Sequence, residues 1–381
     1  MRSVCVVTGT RANYGRLKTV MNAIEKSNEL ELKLIVTGMH LVPECGYTIN
    51  EIRKDGYKID EIVDMNLSNN SASGMCKSLG LGLIGMTQAI ERIKPDIILI
   101  LGDRDEDLAP AIIGAHMNIP VAHIHGGEVT GSIDESIRHA ITKFSHIHFT
   151  ANEDSKERVI KLGEQSKYVF NVGSPGLDSI LNIEYKSKDE LFNEYKLDIN
   201  KRSILLAQHP VTTESSNAAI QIRETMEAIK KLNMQTVLIY PNSDAGSSEM
   251  IRVIEEYKNF DFIKMYKNIP FEDYLALLKY SDVMVGNSSS GIMEAPSFKL
   301  PVINIGTRQN GRLQSLNIIN CDYSTNEIIE KIEYVLNDSL FKEKLDKCIN
   351  LYGDGKTGEK IAEVLSNIKI DKNLIQKKIT Y

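Results

Sequence analysis

Two separate series of strand-like runs alternating with helical patterns constrain the fold of this chain more than any other feature. In the first half, apolar, β-branched runs cover residues 3–8, 30–36, 96–101, 120–125, 147–150 and 168–172. Helical patterns separate them near residues 15–27, 81–93, 107–117, 133–144 and 155–162. Near-continuous apolar strands separated by helices predict a parallel sheet that is covered on both faces.

The alternation pauses at the turn-forming stretch from Gly173 to Gly176 and then starts again. The later strand-like runs cover 203–207, 235–240, 261–263, 282–285 and 302–305, and helical patterns lie near 216–232, 247–258, 271–279 and 291–299. Because 381 residues suffice for two domains, we predict an α/β fold with two Rossmann-like, doubly wound domains and a cleft between them. The predicted domains cover residues 1–172 and 173–364, and a last helix at about 365–381 returns to the first domain.

Composition and charge argue against several classes of protein. With 42% hydrophobic and 25% charged residues, and no apolar run long enough to span a bilayer, the chain is typical of a soluble globular protein without a membrane partner. The five cysteines are scattered and lack C-x-x-C spacing, which favours reduced thiols in the cytoplasm over a metal cluster. The formal net charge of −6 argues against a nucleic-acid partner.

Ionisable side chains follow two neighbouring strands of the predicted first sheet. Asp103 follows the run 96–101 and Gly102, and His125 ends the run 120–125, followed by two glycines and Glu128. Residues just past the carboxyl ends of parallel strands converge on one crevice, where they favour proton-transfer chemistry. Asp134, at the start of a predicted helix that also carries Arg138, supplies a second carboxylate for acid/base work on a sugar ring.

Each of these features also has a simpler interpretation. His123 and His125 alternate along a strand, which favours one shared face, but a zinc pair lacks the third protein ligand of a catalytic site, and His123 is expected to be a packed histidine. Residues 105–107 are expected to be solvated acids at a helix start, and Asp134 to be a helix cap. The loop from Gly9 to Lys18 lacks the three-glycine dinucleotide motif, so we expect no NAD and instead a phosphate or hydroxyl contact.

The second half carries the features of a nucleotide site. His209 follows one strand-like run, and Asn242 follows the next. A further strand opens into a Ser/Gly turn and a predicted helix, whose N–H groups and hydroxyls favour an anion. One turn into that helix, Glu294 suits the two ribose hydroxyls of a nucleotide, although an incidental glutamate on a serine-capped helix has the same pattern. Arg312 adds a cation after the next strand.

Taken in order, these motifs resemble the UDP-N-acetylglucosamine 2-epimerase family, and more closely its hydrolysing branch, which includes bacterial sialic-acid-pathway enzymes and the epimerase half of the animal bifunctional epimerase/kinase. The resemblance spans nearly the whole chain in collinear order. It rests on the motifs at 9–12, 36–40, 102–104, 123–128, 134–139, 208–213, 241–242, 286–289 and 306–309.

The resemblance implies a GT-B fold, no cofactor and a homodimer or tetramer. It also implies conversion of UDP-N-acetylglucosamine to UDP and free N-acetylmannosamine, by elimination to 2-acetamidoglucal and hydration, for sialic or other nonulosonic acid biosynthesis. The implied sugar and acid/base residues lie in the N-terminal domain, and the C-terminal domain binds UDP. The residues implied as catalytic are Asp103, His125, Glu128, Asp134 and His209. Those implied or expected to bind substrate are Arg11, Arg104, Arg138, Asn242, Ser288, Ser289, Ser290, Glu294 and Arg312.

Departures from the family pattern leave alternatives open. Several relatives have a glutamate where this chain has His125, so the third acid/base role falls to either His125 or Glu128. The main expectation is UDP-N-acetylglucosamine as substrate. The alternatives are the legionaminic-acid branch, which acts on a 2,4-diacetamido-2,4,6-trideoxy sugar nucleotide, and a non-hydrolysing epimerase. Two different classes also fit the fold: a GT-B glycosyltransferase and a nucleotide-sugar sensor.

Overall fold

The chain divides into two compact α/β units. The computed structural model of the protein describes residues 1–43, 47–67, 72–129, 133–241, 246–267 and 269–381. The first unit consists of Met1–Asn182 and Tyr352–Tyr381, and the second of Ile183–Leu351. No helix in these described ranges is both long and apolar enough to cross a membrane.

The first unit is built on a parallel sheet. Its described strands are β1 (Arg2–Thr8), β2 (Leu30–Thr37), β3 (Glu61–Val63), β4 (Ile97–Leu101), β5 (Val121–Ile124), β6 (Ile147–Thr150) and β7 (Val169–Asn171), and their order is β3-β2-β1-β4-β5-β6-β7. The helices along this part of the chain are α1 (Arg11–Lys26), α2 (Ile49–Lys54), α3 (Ala72–Ile93), α4 (Asp105–Met117), α5 (Ile133–Phe144), α6 (Glu153–Lys161) and α7 (Pro175–Asn182).

Strand β1 shows why this sheet is covered on both faces. Val4 and Val6 belong to a buried cluster that includes Leu17 of α1, whereas Cys5 and Val7 belong to a second cluster that includes Met86 of α3. Alternate side chains of a strand point to opposite faces, so each face buries its own helices. Each fully buried aliphatic side chain contributes roughly 1.5–3 kcal/mol to this arrangement.

The second unit repeats the design. Its described strands are β8 (Ser203–Ala207), β9 (Gln235–Ile239), β10 (Ile263–Tyr266), β11 (Val283–Gly286), β12 (Val302–Ile305) and β13 (Ile318–Cys321), which form a parallel sheet in the order β10-β9-β8-β11-β12-β13. Its helices are α8 (Lys188–Glu194), α9 (Ala218–Leu232), α10 (Ser247–Glu255), α11 (Phe271–Tyr280), α12 (Ser290–Met293), α13 (Thr325–Asn337) and α14 (Ser339–Asp346). The predicted α/β fold with two Rossmann-like units is confirmed.

The chain then returns to the first unit through α15 (Thr357–Asn367) and α16 (Lys372–Ile375). The unit boundaries therefore differ from the predicted 172/173 and 364/365, because α7 and α15 both pack against α1. Pro175 begins α7 instead of forming a turn, since the first helical position tolerates proline. Asp178 of α7 accepts backbone N–H bonds from Thr357 (3.0 Å) and Gly358 (2.6 Å) and so caps the start of α15.

Candidate active site

An ion pair between Asp103 and Arg138 brings two of the predicted site residues together. Asp103 follows β4 and Gly102, and Arg138 reaches it from α5. The Arg138 side chain is 3% exposed, and its Nη1 also donates a 2.7 Å hydrogen bond to the backbone carbonyl of Glu128. A buried guanidinium held by two partners fixes the orientation of the Asp103 carboxylate.

His125 stands in an unusual backbone conformation directly after β5. Its φ is +68°, in the left-handed region that non-glycine residues enter mainly at turns and functional sites. The ring is buried, and its Nε2 lies 3.1 Å from Ser174 Oγ. Burial lowers the pKa of His125, while the charges of Glu128 and Asp103 act to raise it. A neutral imidazole in this position is able to accept a proton.

His123 supports the backbone of the site. Its Nε2 donates a 2.8 Å hydrogen bond to the carbonyl of Gly102, and its Nδ1 lies 3.3 Å from Thr142 Oγ1. Burial lowers the pKa of His123 to about 3, so the ring stays neutral and holds the carbonyl that precedes Asp103. β5 ends at Ile124, so His125 lies outside the strand whose alternation was the basis for expecting His123 and His125 on one face.

Glu128 offers a carboxylate oxygen for a proton or a hydrogen bond. Its Oε1 is buried and has no hydrogen-bond partner among the residues that the structure describes. Leaving such an acceptor unpaired costs roughly 1–3 kcal/mol, a penalty that a donor group on a substrate would relieve. The geometry therefore retains both His125 and Glu128 as acid/base candidates.

The remaining predicted residues of the first unit lie at its surface or at helix starts. Arg11 is the first residue of α1, is exposed, and pairs with Glu51 at 3.2 Å. The guanidinium Nε of Arg104 lies 3.4 Å from Glu106 Oε2. Asp134 is the second residue of α5, and its side chain lies outside the part of the chain that the structure describes.

Two acids at the start of α4 are buried rather than solvated. Glu106 packs against Gly9 and Gly38, where an added Cβ would lie 2.7 Å from its side chain. Burial and the charges of Glu106 and Asp103 raise the pKa of Asp107 well above its usual value. The expected solvated helix start is therefore wrong for both residues, and the glycines that follow β1 and β2 leave room for the Glu106 side chain.

In the second unit, Asn287 clamps the backbone of His209. Asn287 Oδ1 accepts the His209 N–H at 2.7 Å, and Asn287 Nδ2 donates to the His209 carbonyl at 2.9 Å. The carbonyl of Asn287 in turn accepts hydrogen bonds from Arg308 (3.1 Å) and Gln309 (2.8 Å). These contacts join the loops that follow β8, β11 and β12 at one edge of the sheet. Asn287 was missed in the sequence as an individual site residue, although it follows a glycine at a strand end, as Asp103 does.

The serine-rich turn after β11 begins at a very close backbone approach. Gly286 has a φ of +125°, and a Cβ there would lie 2.2 Å from the Ala207 carbonyl oxygen. The N–H groups of Asn287 and Ser288 both donate to that carbonyl, at 3.1 and 3.2 Å. The three serines that follow, Ser288, Ser289 and Ser290, are half-buried. A turn rich in serine and glycine is suited to an anion.

The helix expected at 291–299 is shorter than predicted. α12 ends at Met293, and a separate 3-10 turn covers Ala295–Phe298. Pro296 lacks the N–H that a continuous helix needs, so the α-helix stops before it. Because α12 has only one turn, its dipole is small, and the serine hydroxyls and local N–H groups are the features left to bind an anion.

Glu294 and Tyr274 lie beside these serines. Glu294 is the C-cap residue that follows α12, and it is half-buried. Burial raises the pKa of Tyr274 to about 12, aided by the charge of Glu294 and opposed by hydrogen bonds from Ser290 and Ser288. Tyr274 of α11 was missed in the sequence because it lies within an ordinary amphipathic helix. Arg312 is half-buried further along the chain, and Asn242 lies outside the described residues.

Comparison with known proteins identifies the family. A family model described as UDP-N-acetylglucosamine 2-epimerase matches residues 22–366. The chain is 41% identical to the hydrolysing UDP-N,N'-diacetylbacillosamine 2-epimerase of Legionella pneumophila, over 99% of each chain. It is 38% identical to the hydrolysing GDP/UDP-N,N'-diacetylbacillosamine 2-epimerase of Campylobacter jejuni, covering 87% of this chain and 88% of the relative.

Two further comparisons involve Neisseria meningitidis. The chain is 37% identical to a UDP-N-acetylglucosamine 2-epimerase of that organism, over 96% of each chain. A crystal structure of UDP-GlcNAc 2-epimerase from Neisseria meningitidis bound to UDP-GlcNAc shares the fold, with a TM-score of 0.78, 20% identity, and coverage of 96% of this chain and 99% of that one. The chain belongs to the UDP-N-acetylglucosamine 2-epimerase family.

Proposed function

We propose that this chain is a hydrolysing 2-epimerase that acts on UDP-N,N'-diacetylbacillosamine, a 2,4-diacetamido-2,4,6-trideoxy sugar nucleotide, and releases UDP and the free 2-epimeric sugar. The observation that carries the proposal is the 41% identity to the Legionella pneumophila enzyme of that name over 99% of both chains. This was the alternative expectation from the sequence, and it now takes precedence over UDP-N-acetylglucosamine as the substrate.

The reaction needs two acid/base groups and a stabilised leaving group. A base removes the proton from C2, the C1–O bond breaks, and the bonding electrons leave with UDP to give a glycal. Water then adds to C1, and a proton returns to C2 on the opposite face. Charge develops on the departing diphosphate and near C1, so hydrogen-bond donors and carboxylates placed there accelerate the reaction.

The first unit carries the proposed acid/base groups. Asp103 and Asp134 exchange protons with the sugar, and either His125 or Glu128 serves as the third group. Arg138 keeps the Asp103 carboxylate in place, because its buried guanidinium contacts both that carboxylate and the backbone of Glu128. Arg11 and Arg104 are proposed to contact the substrate from the same unit.

The second unit carries the proposed UDP-binding groups. Ser288, Ser289 and Ser290 bind the diphosphate, and Glu294 accepts hydrogen bonds from the ribose hydroxyls. His209, whose backbone Asn287 clamps from both sides, assists the departing phosphate. Arg312 and Asn242 complete the proposed nucleotide contacts.

UDP-N-acetylglucosamine is the second candidate substrate, because the Neisseria meningitidis relative of that name is 37% identical over 96% of both chains. The test is incubation of the protein with each sugar nucleotide alone in deuterated water, followed by NMR and mass spectrometry. We expect UDP and free 2,4-diacetamido-2,4,6-trideoxymannose with deuterium at C2. Turnover of UDP-N-acetylglucosamine alone would transfer the proposal to that substrate, and turnover of neither would leave the transferase and sensor classes.

Replacement of Glu294 by alanine is expected to weaken UDP binding. Loss of hydrogen bonds to a charged group costs roughly 1.5–3 kcal/mol, so Kd should rise about tenfold to a hundredfold. Isothermal titration calorimetry with UDP measures the change. Glu330→Ala, which removes an exposed carboxylate of the same unit, serves as the control. Equal UDP affinity in the Glu294 and Glu330 variants would show that Glu294 does not bind the nucleotide.

A further inference from the structure

Ser174 lies in the first unit where three segments of chain meet. Its hydroxyl oxygen lies 3.1 Å from Nε2 of His125, which follows β5. Its backbone N–H donates a 2.6 Å hydrogen bond to the carbonyl of Tyr352, the residue at which the chain re-enters this unit. Pro175, the next residue, begins α7. Ser174 is only 1% exposed, so its hydroxyl contact is made inside the protein.

The backbone that carries Ser174 is tightly fixed. Gly173 has a φ of +94°, and a Cβ there would lie 2.9 Å from the Cα of Gly353. The two backbones therefore pack directly against each other, a distance that only glycine permits. Four residues after Ser174, the buried carboxylate of Asp178 caps α15. These contacts fix the backbone from which the Ser174 side chain extends.

The backbone around His125 is fixed by contacts with β6 and α6. The His125 N–H donates a 2.9 Å hydrogen bond to the carbonyl of Phe149 in β6. Gly127 has a φ of +80°, and a Cβ there would lie 2.3 Å from the Ser155 carbonyl oxygen in α6. Within the part of the chain that the structure describes, the His125 ring has one hydrogen-bond partner, the Ser174 hydroxyl.

We propose that Ser174 is a positioning residue that fixes the orientation of the His125 imidazole. The Ser174 hydroxyl is able to donate to Nε2 or to accept from it, so in either tautomer of the neutral ring it holds that nitrogen and leaves Nδ1 for the substrate. Without that hydroxyl, rotation about χ2 of His125 is no longer restricted by a hydrogen bond. This inference rests on the proposed function, in which His125 is an acid/base candidate.

The charged groups that act on the His125 ring are Glu128, Asp103, Arg16 and Arg138. Ser174→Ala leaves all four in place and keeps the backbone N–H that bonds to Tyr352. A change in the ¹⁵N shifts of the His125 ring after this substitution is therefore caused by loss of the hydroxyl itself. Ser145→Ala is the matched control, because Ser145 is a fully buried serine of the same unit whose hydroxyl bonds to the Ile141 carbonyl at 2.8 Å.

The test combines imidazole ¹⁵N NMR of the full-length protein with steady-state kinetics. The His125 signals are identified by their loss in His125→Gln. We expect the same His125 ¹⁵N shifts in wild type and in Ser145→Ala, and changed shifts in Ser174→Ala, because Nε2 of that variant has lost its hydrogen bond. We also expect kcat of Ser174→Ala to fall about tenfold to a hundredfold with KM little changed, because a misplaced group loses effective orientation.

Two results would overturn the proposal. Identical ¹⁵N shifts in wild type and Ser174→Ala would show that the hydroxyl does not fix the ring. Altered shifts with an unchanged kcat would show that the reaction does not need the fixed ring. Should wild type turn over neither sugar nucleotide, the proposed function fails by itself, and the NMR comparison still decides whether Ser174 holds the His125 ring.

Discussion

Asp103→Asn is expected to lower kcat about a hundredfold or more, the scale of a lost acid/base group, while the affinity for UDP changes little. Asparagine preserves the size of the side chain and accepts a hydrogen bond from Arg138, whose guanidinium is 3% exposed. It removes the negative charge and the ability to exchange a proton. Steady-state kinetics with the sugar nucleotide measures kcat, and calorimetry with UDP measures the affinity for the nucleotide.

Asp105→Asn is the matched control for this prediction. It makes the same change of charge two residues along the chain, in the first turn of α4. We expect it to retain near wild-type kcat. Full activity in the Asp103 variant, or an equal loss in both variants, would contradict the acid/base assignment of Asp103. A large loss of UDP affinity in Asp103→Asn would indicate a binding role instead.

Gly286→Ala is expected to destabilise the second unit by roughly 2–5 kcal/mol, because it combines backbone strain with overpacking. The φ of +125° disfavours any L side chain, and the new Cβ would lie 2.2 Å from the Ala207 carbonyl oxygen. Strands β8 and β11 would have to separate at the end where Asn287 clamps His209. Amide hydrogen exchange of peptides from β8 and β11 measures the local opening free energy.

Gly311→Ala is the control that separates backbone strain from overpacking. Gly311 also has a positive φ, +82°, but a Cβ there meets no atom within 4 Å. We expect a loss of only about 1–2 kcal/mol, from backbone strain alone. Faster exchange confined to the Gly286 variant would identify the close approach of β8 and β11 as the larger cause. Amide hydrogen exchange at the wild-type rate in Gly286→Ala would contradict the predicted destabilisation of β8 and β11.

Much of the secondary structure could be predicted from local pattern. The runs predicted at 147–150, 203–207 and 302–305 match β6, β8 and β12 at both ends. β3 was missed because three residues are too few to show an alternating pattern, and β13 because its two central residues are polar or partly exposed. β10 covers Ile263–Tyr266 rather than 261–263, since its register against β9 decides which residues pair.

The site was predictable only in part. Asp103, His125 and His209 are ionisable residues placed directly after strands, so their positions stand out in the sequence. Ser174, Asn287 and Tyr274 are common residue types, and they matter through partners that are distant along the chain. Glu106 and Asp107 have the local pattern of a solvated helix start, and the space that Glu106 occupies is left by Gly9 and Gly38, which are distant from it along the chain.

The sequence by itself determined the two α/β units, the order of their strand-like runs and the family. Those properties follow from local periodicity and from short motifs in a fixed order. Only the tertiary structure decided that His125 turns into the left-handed region and meets Ser174, and that Arg138 holds Asp103 from another helix. Such contacts join residues 35 and 49 positions apart, and their energies depend on burial and distance rather than on neighbours along the chain.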